Sequence, residues 1–281
     1  MDALKIIGGA TLRGEVRVSG SKNASLPIMA VRTLTQVLSH MGARIERQGR
    51  ALLIDAESIP HPEARCDLVR TMRASILVLG PLLARFGHAK VSLPGGCAIG
   101  ARPIDQHLKG LEKLGAKISL EHGNIHATAS SGLIGAEVVF DMPTVTGTEN
   151  LMLAAVLAQG TTVLRNAAQE PEVTDLAEAL ISMGAKIQGA GTREIIIEGQ
   201  KLLRPCRHNI MADRIECGTL LVAGAMAGDP LMVKGGIAEH QRTLVDKLRA
   251  MGAKVEIDDD TMRVTRPHMF SPVDVQTAPY Y

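Results

Sequence analysis

The stretch Leu111-Glu-Lys-Leu-Gly-Ala-Lys-Ile118 decides how this sequence folds, because its pattern occurs four times. A leucine is followed, after three residues, by Gly-Ala, a basic residue and Ile or Val. Glycine after an amphipathic segment predicts a left-handed helix end, and the basic residue is predicted to begin a strand. The spacing of the glycines is regular, and it predicts a repeated module. The other copies are Leu38–Ile45, Leu180–Ile187 and Leu248–Val255, and Gly42, Gly115, Gly184 and Gly252 are separated by 73, 69 and 68 residues.

Each later copy has the same predicted elements around it. A helix is predicted at 67–84, 148–158 and 214–227, and each is followed by an apolar strand. After each glycine, alternating residues around a polar turn predict a hairpin. The chain is therefore predicted to be an α/β protein built from mixed modules. The Gly189–Glu194 stretch lacks the GxGxxG spacing and is predicted to lie in such a hairpin, so it is not read as a dinucleotide site.

The composition excludes several classes of function. The 281 residues include three Phe, two Tyr and no Trp, and the net charge is +2, so neither base stacking nor electrostatic binding of nucleic acid or a membrane is expected. The four cysteines show no CxxC spacing, and His122 and His126 have no third ligand in view, so no metal is expected. With no secretory leader in the sequence, the expected location is the cytoplasm.

The candidate reactive group is Cys97, which lies in the glycine-rich stretch 94–103 with Arg102 five residues beyond it. Nearby positive charge lowers the pKa of a thiol and makes it a useful acid or nucleophile. The loop is also longer than the matching connections of the other modules, and a site is often added where one copy of a repeat is extended. From these residues alone, a buried cysteine in an ordinary strand-to-helix turn is an equal alternative.

Three further stretches carry candidate site residues. Lys22 follows a strand and precedes a helix, where it could meet an anion or be a solvated lysine in a capping turn. Arg73 begins an apolar helix, as an exposed charge or an anion clamp. The stretch 102–107 opens a helix, as helix-start polarity or as a polar edge for a sugar or nucleotide. Together Lys22, Arg73, Cys97 and Arg102 describe a site for a small dianion beside an activated thiol.

The first module is irregular. Compared with the later modules, about twenty residues are missing after Ala30. The residues from Val273 to Tyr281 begin what looks like another module. Both features predict that the sequence is part of a longer chain.

The sequence resembles the UDP-N-acetylglucosamine 1-carboxyvinyltransferase family, a group of enolpyruvyl transferases. The resemblance covers nearly the whole chain, and the cysteine loop is its most diagnostic part. The matching motifs are SGSKNA from Ser19, TMRASI from Thr71, LPGGCAIGARPID from Leu93, the GAKI repeats, ADRIECGT from Ala212 and the final VQTAP.

The resemblance implies a two-domain inverse α/β barrel in which the second domain is truncated. Residues 22–211 would form the first barrel domain, with the Cys97 loop, while residues 1–21 and 212–281 would belong to the incomplete second domain. The implied reaction transfers the enolpyruvyl group of phosphoenolpyruvate to the 3-hydroxyl of UDP-N-acetylglucosamine and releases phosphate. No cofactor is implied.

The resemblance also implies roles for individual residues. Cys97 would protonate the methylene carbon of phosphoenolpyruvate as general acid, and it could form a covalent adduct. Lys22 and Asn23 would contact substrate, with the Lys22 cation near the phosphate, and Arg73 and Arg102 would bind the anionic substrates. The nucleotide-sugar site would be lined by Arg102, Pro103, Ile104, Asp105 and Gln106 and, from the segment 141–146, by Met142, Thr144 and Val145.

One departure from the family pattern matters for activity. The aspartate expected to act as base for the sugar hydroxyl would follow the last residue of this sequence, so a chain that ends at Tyr281 is expected to be inactive. Turnover of both substrates by a preparation of that mass would contradict this expectation. The alternatives are an inactive remnant that binds a nucleotide sugar, and a 3-phosphoshikimate 1-carboxyvinyltransferase, which would have no need of the thiol loop.

Overall fold

The computed structural model of the chain describes residues 9–28, 32–49, 51–60, 63–64, 73–93, 104–277 and 280. The predictions placed on Cys97, Arg102 and Pro103 lie outside the described residues, as does the junction after Ala30. The described residues group into two compact units. The smaller contains residues 9–21 and 210–277, and the larger contains residues 22–209 and residue 280.

The helices and strands alternate along most of the described chain. The α-helices are α1 (Lys22–Ile28), α2 (Arg32–Met41), α3 (Leu79–Phe86), α4 (Asp105–Lys113), α5 (Val145–Ala155), α6 (Pro171–Ser182), α7 (Arg214–Ala227) and α8 (Arg242–Ala250). The strands are β1 (Leu12–Arg17), β2 (Arg44–Gln48), β3 (Ala51–Asp55), β4 (Glu63–Ala64), β5 (His88–Ser92), β6 (Lys117–Glu121), β7 (Asn124–Thr128), β8 (Glu137–Val139), β9 (Thr161–Arg165), β10 (Lys186–Gln188), β11 (Glu194–Glu198), β12 (Gly228–Lys234), β13 (Lys254–Asp258) and β14 (Thr261–Thr265). Short 3-10 helices span Arg73–Val78 and Ala238–Gln241.

Three four-stranded sheets share one topology, which confirms the predicted repeat. The larger unit contains the sheets β4-β5-β7-β6 and β8-β9-β11-β10, and the smaller unit contains β1-β12-β14-β13. In each sheet the first two strands pair in parallel, and the remaining pairs are antiparallel. In the smaller unit the N-terminal strand β1 takes the first position and pairs with β12, more than 200 residues later in the chain. The hairpin β2–β3 belongs to the irregular first module.

The four glycines of the repeat end helices as the sequence predicts. Gly42, Gly115, Gly184 and Gly252 have φ of 109°, 93°, 101° and 100°, a region that L-residues with a side chain rarely adopt. In every copy the amide of the following alanine donates to the carbonyl of the repeat leucine, at 3.0 Å. This 6→1 bond is the Schellman motif, so one local sequence pattern makes the same helix end four times. The next strand begins at the basic residue in all four copies.

Two predicted helix boundaries differ from the structure. The helix predicted at 148–158 is Val145–Ala155, because the Thr144 side chain caps it by accepting a hydrogen bond from Gly147 N at 3.3 Å. Where one helix was predicted at 67–84, the described part is a 3-10 turn from Arg73 followed by α3, which ends at Phe86. The helix predicted at 214–227 is confirmed as α7, with the Asp213 side chain accepting bonds from Ile215 N and Glu216 N.

Each unit has its own apolar core. In the larger unit α3 and α5 pack together among the sheets, and Leu79, Leu83, Leu151 and Met152 are fully buried. In the smaller unit α7 and α8 cover one sheet around Leu221, Val233 and Val264. Within the described ranges, no helix has the length and apolar character needed to cross a bilayer.

Candidate functional site

The structure brings together two segments that the sequence predicts at the nucleotide-sugar site. Gln106, in the first turn of α4, reaches the segment that leads into α5. Its Oε1 accepts from the backbone N–H of Asp141 at 2.8 Å and of Met142 at 3.4 Å, and its Nε2 donates to the Met142 carbonyl at 3.2 Å. Both ends of the Gln106 amide are therefore engaged by the backbone, and the side chain fixes one segment against the other.

A cluster of charges joins the same two segments at the surface. Lys109 Nζ lies 3.0 Å from Asp141 Oδ2 and 3.7 Å from Asp105 Oδ2, its neighbour one turn earlier in α4. The hydrogen bond and the charge of Asp141 raise the pKa of Lys109. The Lys109 side chain is 63% exposed, so solvent and salt weaken this attraction. The charges orient the segments but contribute less to stability than the buried contacts below them.

Beneath this surface lies a buried polar network between α3, α4 and α5. Asn150 and His107 are 0% and 1% exposed. The Asn150 side chain contacts Gly80 N at 2.9 Å, the Ile76 carbonyl at 3.2 Å and His107 Nδ1 at 3.0 Å. His107 Nε2 lies 3.3 Å from Thr146 Oγ1. Buried polar groups satisfied in this way fix a single arrangement of the helices.

The start of α5 borders this network and is partly open to solvent. Thr144 is the N-cap and Val145 the first helical residue, and both are half-buried, whereas Met142 is 60% exposed. The backbone N–H groups of the first helical turn lack partners within the helix, so this end favours anions. A separate open groove of about 370 Å³ lies between α4 and β8, and its lining carries both charges, from Lys109, Lys113, Glu112 and Asp141. The first turn of α5 is therefore the part of this region that favours an anionic group.

The other predicted site residues are described in part. Lys22 and Asn23 are exposed at the start of α1, a helix that packs against α6 and α5. Ile104 precedes α4 as its N-cap, and the backbone of Arg73 begins a 3-10 helix. Cys97, Arg102 and Pro103 lie outside the described residues, so their predicted roles stay predictions.

One buried acid in α5 takes no part in the network. Glu149 is 2% exposed, and its Oε1 has no hydrogen-bond partner in the described part of the chain. Burial raises the pKa of Glu149 well above its ordinary value, and the charges of Glu172 and Glu170 raise it further. Among the described residues, no three His, Cys, Asp or Glu side chains are grouped so that they could hold a metal ion.

Sequence reasoning missed the polar network. His107 was read only as part of a polar helix start, and neither Asn150 nor Lys109 was singled out. The spacing of Asp105 and Lys109 by four residues could have indicated their ion pair. Asn150 directly precedes the apolar stretch Leu151–Leu157. An asparagine at the edge of such a stretch could have indicated a buried amide with hydrogen-bond partners.

Comparisons with known proteins agree with the family indicated by the sequence. The family model described as EPSP synthase (3-phosphoshikimate 1-carboxyvinyltransferase) matches residues 26–281. Two relatives, one from Anaeromyxobacter sp. and one from Anaeromyxobacter dehalogenans, are each named UDP-N-acetylglucosamine 1-carboxyvinyltransferase. Each is 54% identical, and the match covers 100% of this chain and 72% of the relative. The alignments span 303 positions against the 281 residues of this chain, so at least 22 positions are gaps here, close to the predicted missing segment in size.

Solved structures show the same fold. The enolpyruvyl transferase NikO from Streptomyces tendae superposes with a TM-score of 0.81 at 26% identity, over 93% of this chain and 67% of that one. EPSP synthase from Acinetobacter baumannii gives a TM-score of 0.69 at 17% identity, over 96% of this chain and 68% of that one, which supports the fold alone. The predicted fold class, the inverse α/β barrel of the enolpyruvyl transferases, is confirmed. The chain belongs to the family of the UDP-N-acetylglucosamine 1-carboxyvinyltransferases.

Proposed function

We propose that this protein transfers the enolpyruvyl group of phosphoenolpyruvate to the 3-hydroxyl of UDP-N-acetylglucosamine. The methylene carbon of phosphoenolpyruvate gains a proton while the sugar oxygen loses its hydroxyl proton and bonds to C2. The bond from C2 to the phosphate oxygen then breaks, a proton leaves the methylene carbon so that the double bond re-forms, and phosphate is released. The observation that carries the proposal is the 54% identity, over the whole chain, to relatives named for this reaction. The product would enter peptidoglycan precursor synthesis for the cell wall, in the cytoplasm.

The hydrogen bonds of Gln106 to Asp141 and Met142, which we call the clasp between α4 and the segment before α5, support the binding of the nucleotide sugar in this proposal. Gln106 holds together two segments whose residues the family resemblance assigns to that substrate. These residues are Asp105, Gln106, Met142, Thr144 and Val145. The N–H groups of the first turn of α5 suit the diphosphate, because a helix start favours anions. In this proposal Ile104 and Pro103 also contact the nucleotide sugar, as the family resemblance implies.

The chemistry is assigned to side chains alone. Cys97 acts as general acid toward the methylene carbon of phosphoenolpyruvate, and Lys22, Arg73 and Arg102 offset the charge of its phosphate and carboxylate. Asn23 contacts substrate beside Lys22. A cationic surrounding favours the Cys97 thiolate, which lets the thiol exchange its proton near neutral pH.

Phosphate release by the protein expressed from its complete reading frame tests the proposal. Release should require both phosphoenolpyruvate and UDP-N-acetylglucosamine, and shikimate 3-phosphate should not replace the nucleotide sugar. Release with shikimate 3-phosphate alone would instead support the related synthase, whose family model also matches this chain. Binding of UDP-N-acetylglucosamine without any release would support an inactive remnant.

Replacement of Cys97 tests the assignment of the acid. Cys97→Ala should lower the rate by about 10² to 10⁴-fold, the usual contribution of a general acid. Cys206→Ala is the matched control, because Cys206 is exposed and lies outside the proposed site. Phosphate release that is unchanged in Cys97→Ala would show that another group supplies the proton.

A further inference from the structure

A line of hydrogen bonds runs from the backbone of α3 to the first turn of α5. It begins at Gly80 N, 2.9 Å from Asn150 Oδ1, and continues from Asn150 Nδ2 to His107 Nδ1 at 3.0 Å. It ends with His107 Nε2 and Thr146 Oγ1, 3.3 Å apart. Asn150 and His107 are buried, whereas Thr146 is half-buried at the predicted nucleotide-sugar segment.

Backbone groups fix the direction of the first bonds. The Gly80 N–H can only donate, so it requires the oxygen of the Asn150 amide. The Ile76 carbonyl can only accept, so it requires the amide nitrogen, 3.2 Å away. Only one orientation of the Asn150 side chain satisfies both. A close approach of Asn150 to α3 makes this possible, since a Cβ on Gly80 would lie 2.5 Å from Asn150 Oδ1.

This orientation sets the state of the histidine. Asn150 presents an N–H to His107 Nδ1, so Nδ1 must be an unprotonated acceptor. A neutral imidazole with a bare Nδ1 carries its proton on Nε2. His107 therefore donates from Nε2 to the Thr146 hydroxyl oxygen.

The hydroxyl of Thr146 is then free to donate. Its oxygen already accepts from His107, and no protein acceptor for its hydrogen lies within hydrogen-bond distance among the residues the structure describes. Thr146 is the second residue of α5, beside the N–H groups of the first turn. A hydroxyl that donates there is directed to an acceptor that the helix end also favours, such as a phosphate oxygen.

On the basis of the proposed function, we propose that Thr146 donates its hydroxyl hydrogen to a diphosphate oxygen of the nucleotide sugar, and that His107 is a positioning residue held by Asn150 in the neutral, Nε2-protonated form. His107 touches no substrate in this account. It acts by donating a hydrogen bond to the Thr146 hydroxyl oxygen. The hydroxyl hydrogen is then directed away from His107 and toward the ligand.

Binding measurements on Thr146 variants test the contact. Thr146→Val keeps the shape and removes the hydroxyl, and it should weaken the binding of both UDP-N-acetylglucosamine and UDP by about tenfold. Thr146→Ser should recover most of the lost affinity. In the assay, the KM for the nucleotide sugar should rise more than the KM for phosphoenolpyruvate. Thr219→Val, on the exposed face of α7, is the control and should leave both affinities unchanged.

Two binding results would overturn the contact. Wild-type affinity in Thr146→Val would show that the hydroxyl makes no such bond. Weaker binding of UDP-N-acetylglucosamine with unchanged binding of UDP would place the bond on the sugar rather than the diphosphate. If the wild-type protein bound neither ligand, the proposed function and the Thr146 contact would both be wrong.

Nitrogen NMR of the protein without substrate tests His107 independently of function. The spectrum should show His107 with an unprotonated Nδ1 and a protonated Nε2 at neutral pH. Asn150→Asp replaces the donor by an acceptor and should move the proton to Nδ1. A protonated Nδ1 in the wild-type protein would overturn the relay, and this spectrum decides the question even if Asn150→Asp does not fold.

Discussion

The helices α5 and α7 occupy the same place in two copies of the module, yet their surroundings differ. Both begin at a side-chain cap, Thr144 or Asp213, and both have polar residues in the first two turns and apolar residues beyond them. The sixth residue after the cap is Asn150 in α5 and Thr219 in α7. Asn150 is fully buried with three partners, whereas Thr219 is exposed and donates only to its own helix, at the Ile215 carbonyl.

The two helices also differ in which residues are exposed to solvent and which are buried. In α7 a stripe of Ile215, Val222 and Met226 is 53%, 39% and 67% exposed, while the reverse face packs on its sheet. In α5 the polar residues Thr148, Glu149 and Asn150 are all buried. A buried polar group with partners specifies an arrangement, and one without them costs stability. The contrast predicts which substitutions matter.

The largest effect is expected at the sixth position after the cap. Asn150→Leu removes the partners of Gly80 N, Ile76 O and His107 Nδ1, and should lower the free energy of unfolding by about 3–5 kcal/mol. Thr219→Ala, at the matching position of α7, should change it by less than about 0.5 kcal/mol. Denaturant unfolding of both variants gives the comparison. Similar losses in the two would show that the Asn150 contacts contribute little.

The second largest difference in stability is expected for alanine substitutions of two glycines, Gly80 beside α5 and Gly224 in α7. A Cβ on Gly80 would lie 2.4 Å from the Asn150 backbone oxygen, and the backbone cannot easily yield, so Gly80→Ala should cost about 2–4 kcal/mol. In α7, a Cβ on Gly224 would lie 2.9 Å from the Cβ of Val264, which is a milder overlap than the one at Gly80. Gly224→Ala should therefore cost less, about 1 kcal/mol, since alanine also favours the helix. A larger loss in Gly224→Ala would reverse the proposed difference in packing.

The buried acid of α5 should give a pH-dependent effect. The pKa of Glu149 is raised in the folded protein, so the stability it contributes is complete below its ordinary value of 4.5 and is lost as the pH rises through the raised pKa. Glu149→Gln should match the wild type in acid and become more stable than it at high pH, by up to about 2 kcal/mol. Glu178→Gln, at an exposed position of α6, is the control and should show no such trend. A stability difference independent of pH would mean that Glu149 ionises normally.

The smallest difference between the two helices is expected at their N-caps, where the cap of α7 should contribute more stability than the cap of α5. Asp213 accepts from Ile215 N at 2.9 Å and Glu216 N at 3.0 Å, whereas Thr144 accepts only from Gly147 N, at 3.3 Å, among the described groups. Asp213→Ala should cost about 1–2 kcal/mol and Thr144→Ala about 0.5 kcal/mol. Thermal unfolding of the two variants ranks them. A larger cost for Thr144→Ala would indicate that its side chain does more than cap the helix.

Features that depend on neighbouring residues could be predicted from the sequence. The burial of a helix by distant parts of the chain could not. The four helix ends followed from Leu-x-x-x-Gly-Ala, because a left-handed glycine and a Schellman bond need only neighbouring residues. The pairing of β1 with β12 joins distant parts of the chain, and no local pattern specifies it. Since α5 and α7 share one pattern, polar in the first two turns and apolar beyond, their sequences did not indicate that one is enclosed and the other exposed on one face.

The candidate site divides in the same way. The segments around Gln106 and Met142 were identified by resemblance, but their clasp depends on side-chain geometry that spacing does not contain. The relay through Asn150 and His107 joins three helices, so it required the packed structure. The roles of Cys97, Arg102 and Pro103 stay predictions from the sequence.

Hydrogen exchange of the backbone amides with and without UDP-N-acetylglucosamine tests the central claim most directly, namely that the nucleotide sugar binds where α4 meets the start of α5. We expect slower exchange in residues 104–113 and 141–150 when the ligand is present, and a smaller change in residues 214–227 of the matching helix α7. Unchanged exchange at α4 and α5, with slower exchange at α7, would contradict it.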